Sequence, residues 1–104
     1  MKKSLLLMWV MLAISANASL AGEPSQDRKI TLRNMLKHDC GACHGLTLKG
    51  GMGPALLPDS LDGKSDDFLI STIINGRPGT AMPPWRPFIS HDEAAWLLGI
   101  LRKP

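Results

Sequence analysis

The sequence predicts an all-α chain: three main helices joined by two long loops. Three observations carry that expectation. Apolar residues recur at i, i+3 and i+4 in three stretches, two of them opened by cap-forming residues. No segment alternates apolar and polar over six residues, as a half-buried strand would. Gly and Pro crowd the two intervals between the helical stretches.

The amino terminus is of another kind. Met1-Lys2-Lys3 is a short basic start, Ser4 to Ile14 is almost continuously apolar, and small residues follow in Ala16-Asn17-Ala18 and Ser19-Leu20-Ala21. That order is the signature of a secretory signal. Residues 1–21 are therefore expected to be removed, by cleavage after residue 18 or 21, leaving residues 22–104 as one domain in the periplasm. The apolar run is short of the roughly 20 residues that a bilayer core requires, so no membrane span is expected after cleavage. The net charge of +3 counts Lys2 and Lys3. From residue 22 onward ten Lys and Arg face nine Asp and Glu, a net of +1. With no Lys/Arg cluster interleaved with aromatics, nucleic acid is not an expected partner.

The first helix is expected from about Asp27 to Asp39, with Leu32, Met35 and Leu36 on one face. The second lies in "SDDFLISTIINGR". There Ser65 is the N-cap, Asp66 and Asp67 complement the helix dipole, Phe68, Leu69, Ile70, Ile73 and Ile74 form the apolar side, and Gly76 stops the helix. The third lies in "SHDEAAWLLGILRK". Ser90 and Glu93 form a capping box, and Trp96, Leu97, Ile100 and Leu101 make the stripe expected to be buried. Two Gly/Pro-rich loops, Gly45 to Lys64 and Arg77 to Ile89, are long for so short a chain. They make sense if they wrap something that supplies missing core, since small domains commonly lean on a cofactor, metal or disulfide.

The string "DCGACHG" says what that something is. Cys40 and Cys43 are the only cysteines, and His44 follows directly. A redox dithiol normally sits in a βαβ context, absent here. A zinc site needs four ligands, and the remaining histidines, His38 and His91, are not at ligand spacing. Haem attachment accounts for all three residues. Each thiol adds across a vinyl group to form a thioether, and His44 is then held beneath the iron as its proximal ligand. One covalently bound haem c per chain is the expected cofactor.

Met82, in "GRPGTAMPPWRP", is the expected sixth ligand. Pro83 and Pro84 stiffen the loop and push Met82 into an extended conformation. Met35 is read as core packing, and Met52 as a candidate between flexible glycines. His38 and His91 are read as surface residues, although either is a donor iron accepts. A ligating imidazole needs its other N–H bonded, often to a backbone carbonyl. The Pro54 carbonyl in "GGMGPAL" can serve, and an ordinary turn explains the same residues equally well. Arg77 and Trp85 are candidates to donate hydrogen bonds to a haem propionate, against a solvated charge and a core aromatic.

Taken in order, Cys40-Gly41-Ala42-Cys43-His44, Gly53-Pro54 with Leu56, and Met82-Pro83-Pro84 before a last helix resemble a class I cytochrome c over the whole of residues 22–104. The resemblance implies a fold in which first and last helices cross, loops wrapping one haem, His–Met ligation by His44 and Met82, and a Pro54 carbonyl bonded to the imidazole. More narrowly, "CGACHGLTLKGGMGPAL" and "INGRPGTAMPPW" are similar to the small NirC-type cytochromes that accompany haem-d1 nitrite reductase. That implies a redox partner, either nitrite reductase in denitrification or the machinery that matures its haem d1. The expected activity is one-electron transfer, not enzymatic turnover. Docking is expected through a nearly neutral patch near Met52, Pro54, Ala81 and Pro83. A small haem peroxidase with an open sixth position, and a factor in haem d1 maturation, are the competing readings.

Overall fold

Ser25 opens the first helix: its hydroxyl accepts from the Arg28 N–H at 3.2 Å, and helix α1 runs Gln26–Met35. The computed structural model describes residues 22–104. The expected signal segment, residues 1–21, and its cleavage site lie outside the described residues. The helix does not stop near Asp39 as the apolar period implied. One π-helical stretch, Leu36–Cys40, follows α1 and leads into α2, Gly41–His44, so the chain is helical through the cysteine motif. Within the π stretch the Gly41 N–H bonds the Leu36 carbonyl, five residues back. The widened turn changes the phase of everything after it, which is why the 3.6-residue pattern fades at Lys37-His38-Asp39 while the helix goes on.

A short helix that sequence periodicity missed, α3 at Pro58–Leu61, interrupts the first loop. Proline at its first position needs no N–H partner there, and Leu61 is buried. Helix α4 spans Asp66–Asn75, capped by the Ser65 hydroxyl on the Phe68 N–H and ended at Gly76. Helix α5 spans His91–Leu101 with both halves of the Ser90/Glu93 capping box formed. Among the described residues there is no strand. The described residues thus form the all-α architecture that the sequence predicts.

The core forms where α5 lies against α4 and α1. Leu32 and Leu36, Leu61, Ile70 and Ile74, Ile89, and Ala94, Leu97, Leu98 and Leu101 are its buried members. On α5 the buried side differs from the expected stripe. Ala94 and Leu98 are buried, whereas Trp96 and Ile100 are only partly so. Trp96 has the cations of Lys29 and Arg33 at 5.9 and 5.3 Å from its ring centre, which lets a large aromatic stay at the surface of the α1–α5 crossing. Phe68, on the apolar side of α4, is 56% exposed and borders the cavity described below. Two arginines tie the elements together. Arg28 on α1 bonds the Glu93 carboxylate and the Phe88 carbonyl (2.8 Å). Arg102, just past α5, bonds Asp66 (2.8 Å) and the carbonyls of Lys64 (2.7 Å) and Leu61 (3.3 Å).

Candidate haem site

The end of α2 sets the first half of the site. Its last carbonyls turn to the loop that follows: the Gly53 N–H donates to the Cys43 carbonyl (2.7 Å) and the Gly50 N–H to the His44 carbonyl (2.9 Å). These bonds satisfy a helix end that would otherwise be unpaired. They also bring Pro54 under the imidazole, with its carbonyl oxygen 2.7 Å from His44 Nδ1. A carbonyl can only accept, so Nδ1 carries the proton and Nε2 keeps a free lone pair. The approach is close. A Cβ at residue 53 would stand 2.9 Å from both Cε1 and Nδ1 of His44, so only glycine fits there.

The second half is the segment after α4. The Met82 carbonyl accepts from the Arg77 N–H (3.1 Å), and the Met82 N–H donates to the Thr80 hydroxyl (3.3 Å). Beyond the prolines, the Trp85 and Arg86 N–H groups donate to the Ile73 and Ile74 carbonyls at the end of α4 (3.1 and 3.2 Å). Gly76 lies against this loop: a Cβ there would meet the Pro83 carbonyl carbon at 2.6 Å and the Met82 oxygen at 2.7 Å.

The two halves face one cavity of about 410 Å³, bordered by Cys40, Cys43, His44, Pro54, Arg77, Met82 and Trp85. Its walls are otherwise mostly apolar, with Leu36, Leu56, Leu69, Ile73, Leu97, Leu98 and Leu101 among them. An apolar cleft of this size with a few convergent polar groups is what a flat, largely hydrophobic macrocycle requires. Two free thiols, an imidazole with a free Nε2 and a thioether are the donor set for a covalently held haem, and they fit it. Burial, with the Asp39 carboxylate beside it, pushes the free Cys40 thiol above its ordinary range. Arg77 is exposed at the rim and Trp85 half-buried against the core. His38 and His91 are exposed and do not border the cavity. Met35 and Met52 do border it. Met35 also packs against the core from α1, and Met52 is 80% exposed.

Sequence reasoning overlooked three residues at this site. Lys64 and Thr80 border the cavity, and Gly76 underlies the methionine loop. The signal for Thr80 was present, since a threonine two residues before another backbone N–H commonly bonds it.

Residues 28–99 match the family described as cytochrome c oxidase, cbb3-type, subunit III. The chain is similar to cytochrome c55X of Pseudomonas aeruginosa, at 45% identity over 95 residues, 88% of this chain and 80% of that protein. Among solved structures it is similar to a c-type cytochrome NirC, with a TM-score of 0.74 at 49% identity, covering 76% of this chain and 93% of that one. It is also similar to part of dihydro-haem d1 dehydrogenase NirN, solved in complex with DHE. There the TM-score is 0.63 at 32% identity, over 68% of this chain and 15% of that one.

Proposed function

We propose a function on one premise: the chain belongs to the cytochrome c oxidase, cbb3-type, subunit III family and is a small, NirC-like class I c-type cytochrome with one covalently bound haem c. It is an exported one-electron carrier, with residues 1–21 as its signal peptide and residues 22–104 as the cytochrome domain in the periplasm. Bound haem supplies a one-electron couple. Cys40 and Cys43 hold it through thioethers. His44, oriented by the Pro54 carbonyl at 2.7 Å, would offer Nε2 to the haem iron. Met82 would offer its sulfur. Met82 is preferred to Met35 and Met52 because its backbone is bonded at both polar groups and followed by two prolines, whereas Met52 is 80% exposed. Arg77 and Trp85, which border the cavity, are the proposed donors to the haem propionates.

The observation that supports this reading is that Cys40, Cys43, His44 and Met82 all border one cavity. If His44 and Met82 both bind the haem iron, no coordination site would be left for a substrate, which favours a carrier over an enzyme. A His–Met pair raises the reduction potential, because the neutral soft sulfur favours ferrous iron. The partner is a redox protein of the haem d1 system, nitrite reductase itself as electron acceptor in denitrification.

Met82→Ala tests the ligand set. The ferric wild type is expected to show the weak near-infrared sulfur-to-iron band, and the variant to lose it, turn high-spin and bind cyanide at once. A wild type that is itself high-spin and takes cyanide immediately would replace the carrier by a small peroxidase. A second reading, a role in maturing haem d1, is favoured by the similarity to a segment of dihydro-haem d1 dehydrogenase. A deletion strain separates the two. Complete nitrite reductase starved of electrons means delivery, and reductase lacking haem d1 means maturation.

A further inference from the structure

The segment Arg77–Met82 closes on itself through one side chain. Arg77-Pro78-Gly79-Thr80 forms a turn, with the Thr80 N–H on the Arg77 carbonyl at 3.0 Å and Gly79 at φ +79°. Proline second and a positive-φ glycine third are what a type II turn requires. The Thr80 hydroxyl lies 2.7 Å from the same Arg77 carbonyl and 3.3 Å from the Met82 nitrogen. The carbonyl can only accept, so the hydroxyl proton goes to Arg77 and the oxygen lone pair receives the Met82 N–H. The Arg77 N–H in turn donates to the Met82 carbonyl at 3.1 Å. Both backbone polar groups of Met82 are thus referred to Arg77, one directly and one through the hydroxyl. The next residue, Pro83, has no N–H with which to hold the loop, so the pair of bonds at Met82 is the local restraint on where its side chain starts.

We propose that Thr80 is a positioning residue for the Met82 thioether: its hydroxyl clasps the backbone of residue 82 and so sets how readily the sulfur leaves the iron. The proposal rests on the reading of Met82 as an axial ligand. Thr80 is exposed at the edge of the cavity it borders, so its substitution is expected to leave the helices in place and act on the loop. A single hydrogen bond in this setting corresponds to roughly a three- to ten-fold change in the opening equilibrium.

The test uses the holoprotein and three variants, Thr80→Val, Thr80→Ser and Met82→Ala, each checked for covalent haem and far-UV circular dichroism. Thr80→Val is expected to keep its haem and helix content, weaken the near-infrared sulfur-to-iron band, and bind cyanide in the ferric state about three- to ten-fold faster than wild type. Thr80→Ser restores the hydroxyl and is expected to return both readouts to wild type. If Thr80→Val matches wild type, or Thr80→Ser is as impaired as Thr80→Val, the clasp is not what positions the sulfur. If instead the wild type lacks the band and Met82→Ala changes nothing, the ligand assignment itself fails and takes the proposal with it.

Discussion

Beneath the imidazole of His44 there is no room for even a methyl group, because a Cβ on Gly53 would reach the ring atoms Cε1 and Nδ1 at 2.9 Å. The ring cannot retreat without lengthening its 2.7 Å bond to the Pro54 carbonyl. Gly53→Ala is therefore expected to destabilise the holoprotein by about 1–3 kcal/mol, the usual cost of overpacking. In a domain of this size that is a fall in melting temperature on the order of 4–8 °C per kcal/mol, read by Soret absorbance. An unchanged melting temperature and spin state would show that the loop gives way freely. A glycine's necessity of this kind is not legible in a sequence, because the neighbour that excludes the methyl group sits on another element. The cysteines and His44 were legible, since their chemistry depends on spacing within five residues.

The helices were legible where their ends are local. Ser65 and Ser90 bond N–H groups three residues on, and the observed starts of α4 and α5 follow those residues directly. The first helix was not, because its widened turn at Leu36–Cys40 has no periodic signature, and α3 is too short to show a face. Glu93 illustrates how a cap acquires a second duty. Besides closing the capping box it receives the Arg28 guanidinium from α1, and that bond holds its carboxyl below the ordinary carboxylate range. The unfolded chain takes up the proton at a higher pH than the folded one. The contribution is therefore complete above the ordinary carboxylate pKa of about 4.3 and is lost as pH falls through the lower folded value. Because Arg28 is about one-third exposed, solvent limits the effect to about 1 kcal/mol. Glu93→Gln is expected to flatten the loss of stability between about pH 5 and 3 while keeping the cap. Denaturant titrations of both proteins across that interval measure it, and parallel curves would mean that the α1–α5 tie has no ionic part.

At the scale of the molecule, ten buried apolar residues among those described form a core with a haem-sized cavity beside it, and Leu36, Leu61, Ile89, Leu97, Leu98 and Leu101 belong to both. Packing and cofactor are therefore one problem. A chain that cannot attach haem, such as the exported Cys40→Ala/Cys43→Ala double variant, is expected to lose cooperative thermal unfolding and near-UV circular dichroism, as small domains without their cofactor do. A sharp melt in that variant would show that the polypeptide alone suffices. Met52, Pro54, Ala81 and Pro83 are all exposed. What the sequence determined by itself was everything that depends on near neighbours: the two capped helices α4 and α5, the attachment motif, and a stiff methionine loop before the last helix. Only the tertiary structure decided that Gly53 must lack a side chain beneath His44, which cations cover Trp96, and how Thr80 and Gly76 hold the Met82 loop against α4. The reason is physical. Caps and covalent motifs are satisfied within a turn of chain, whereas close approach and cavity shape exist only after distant segments have packed.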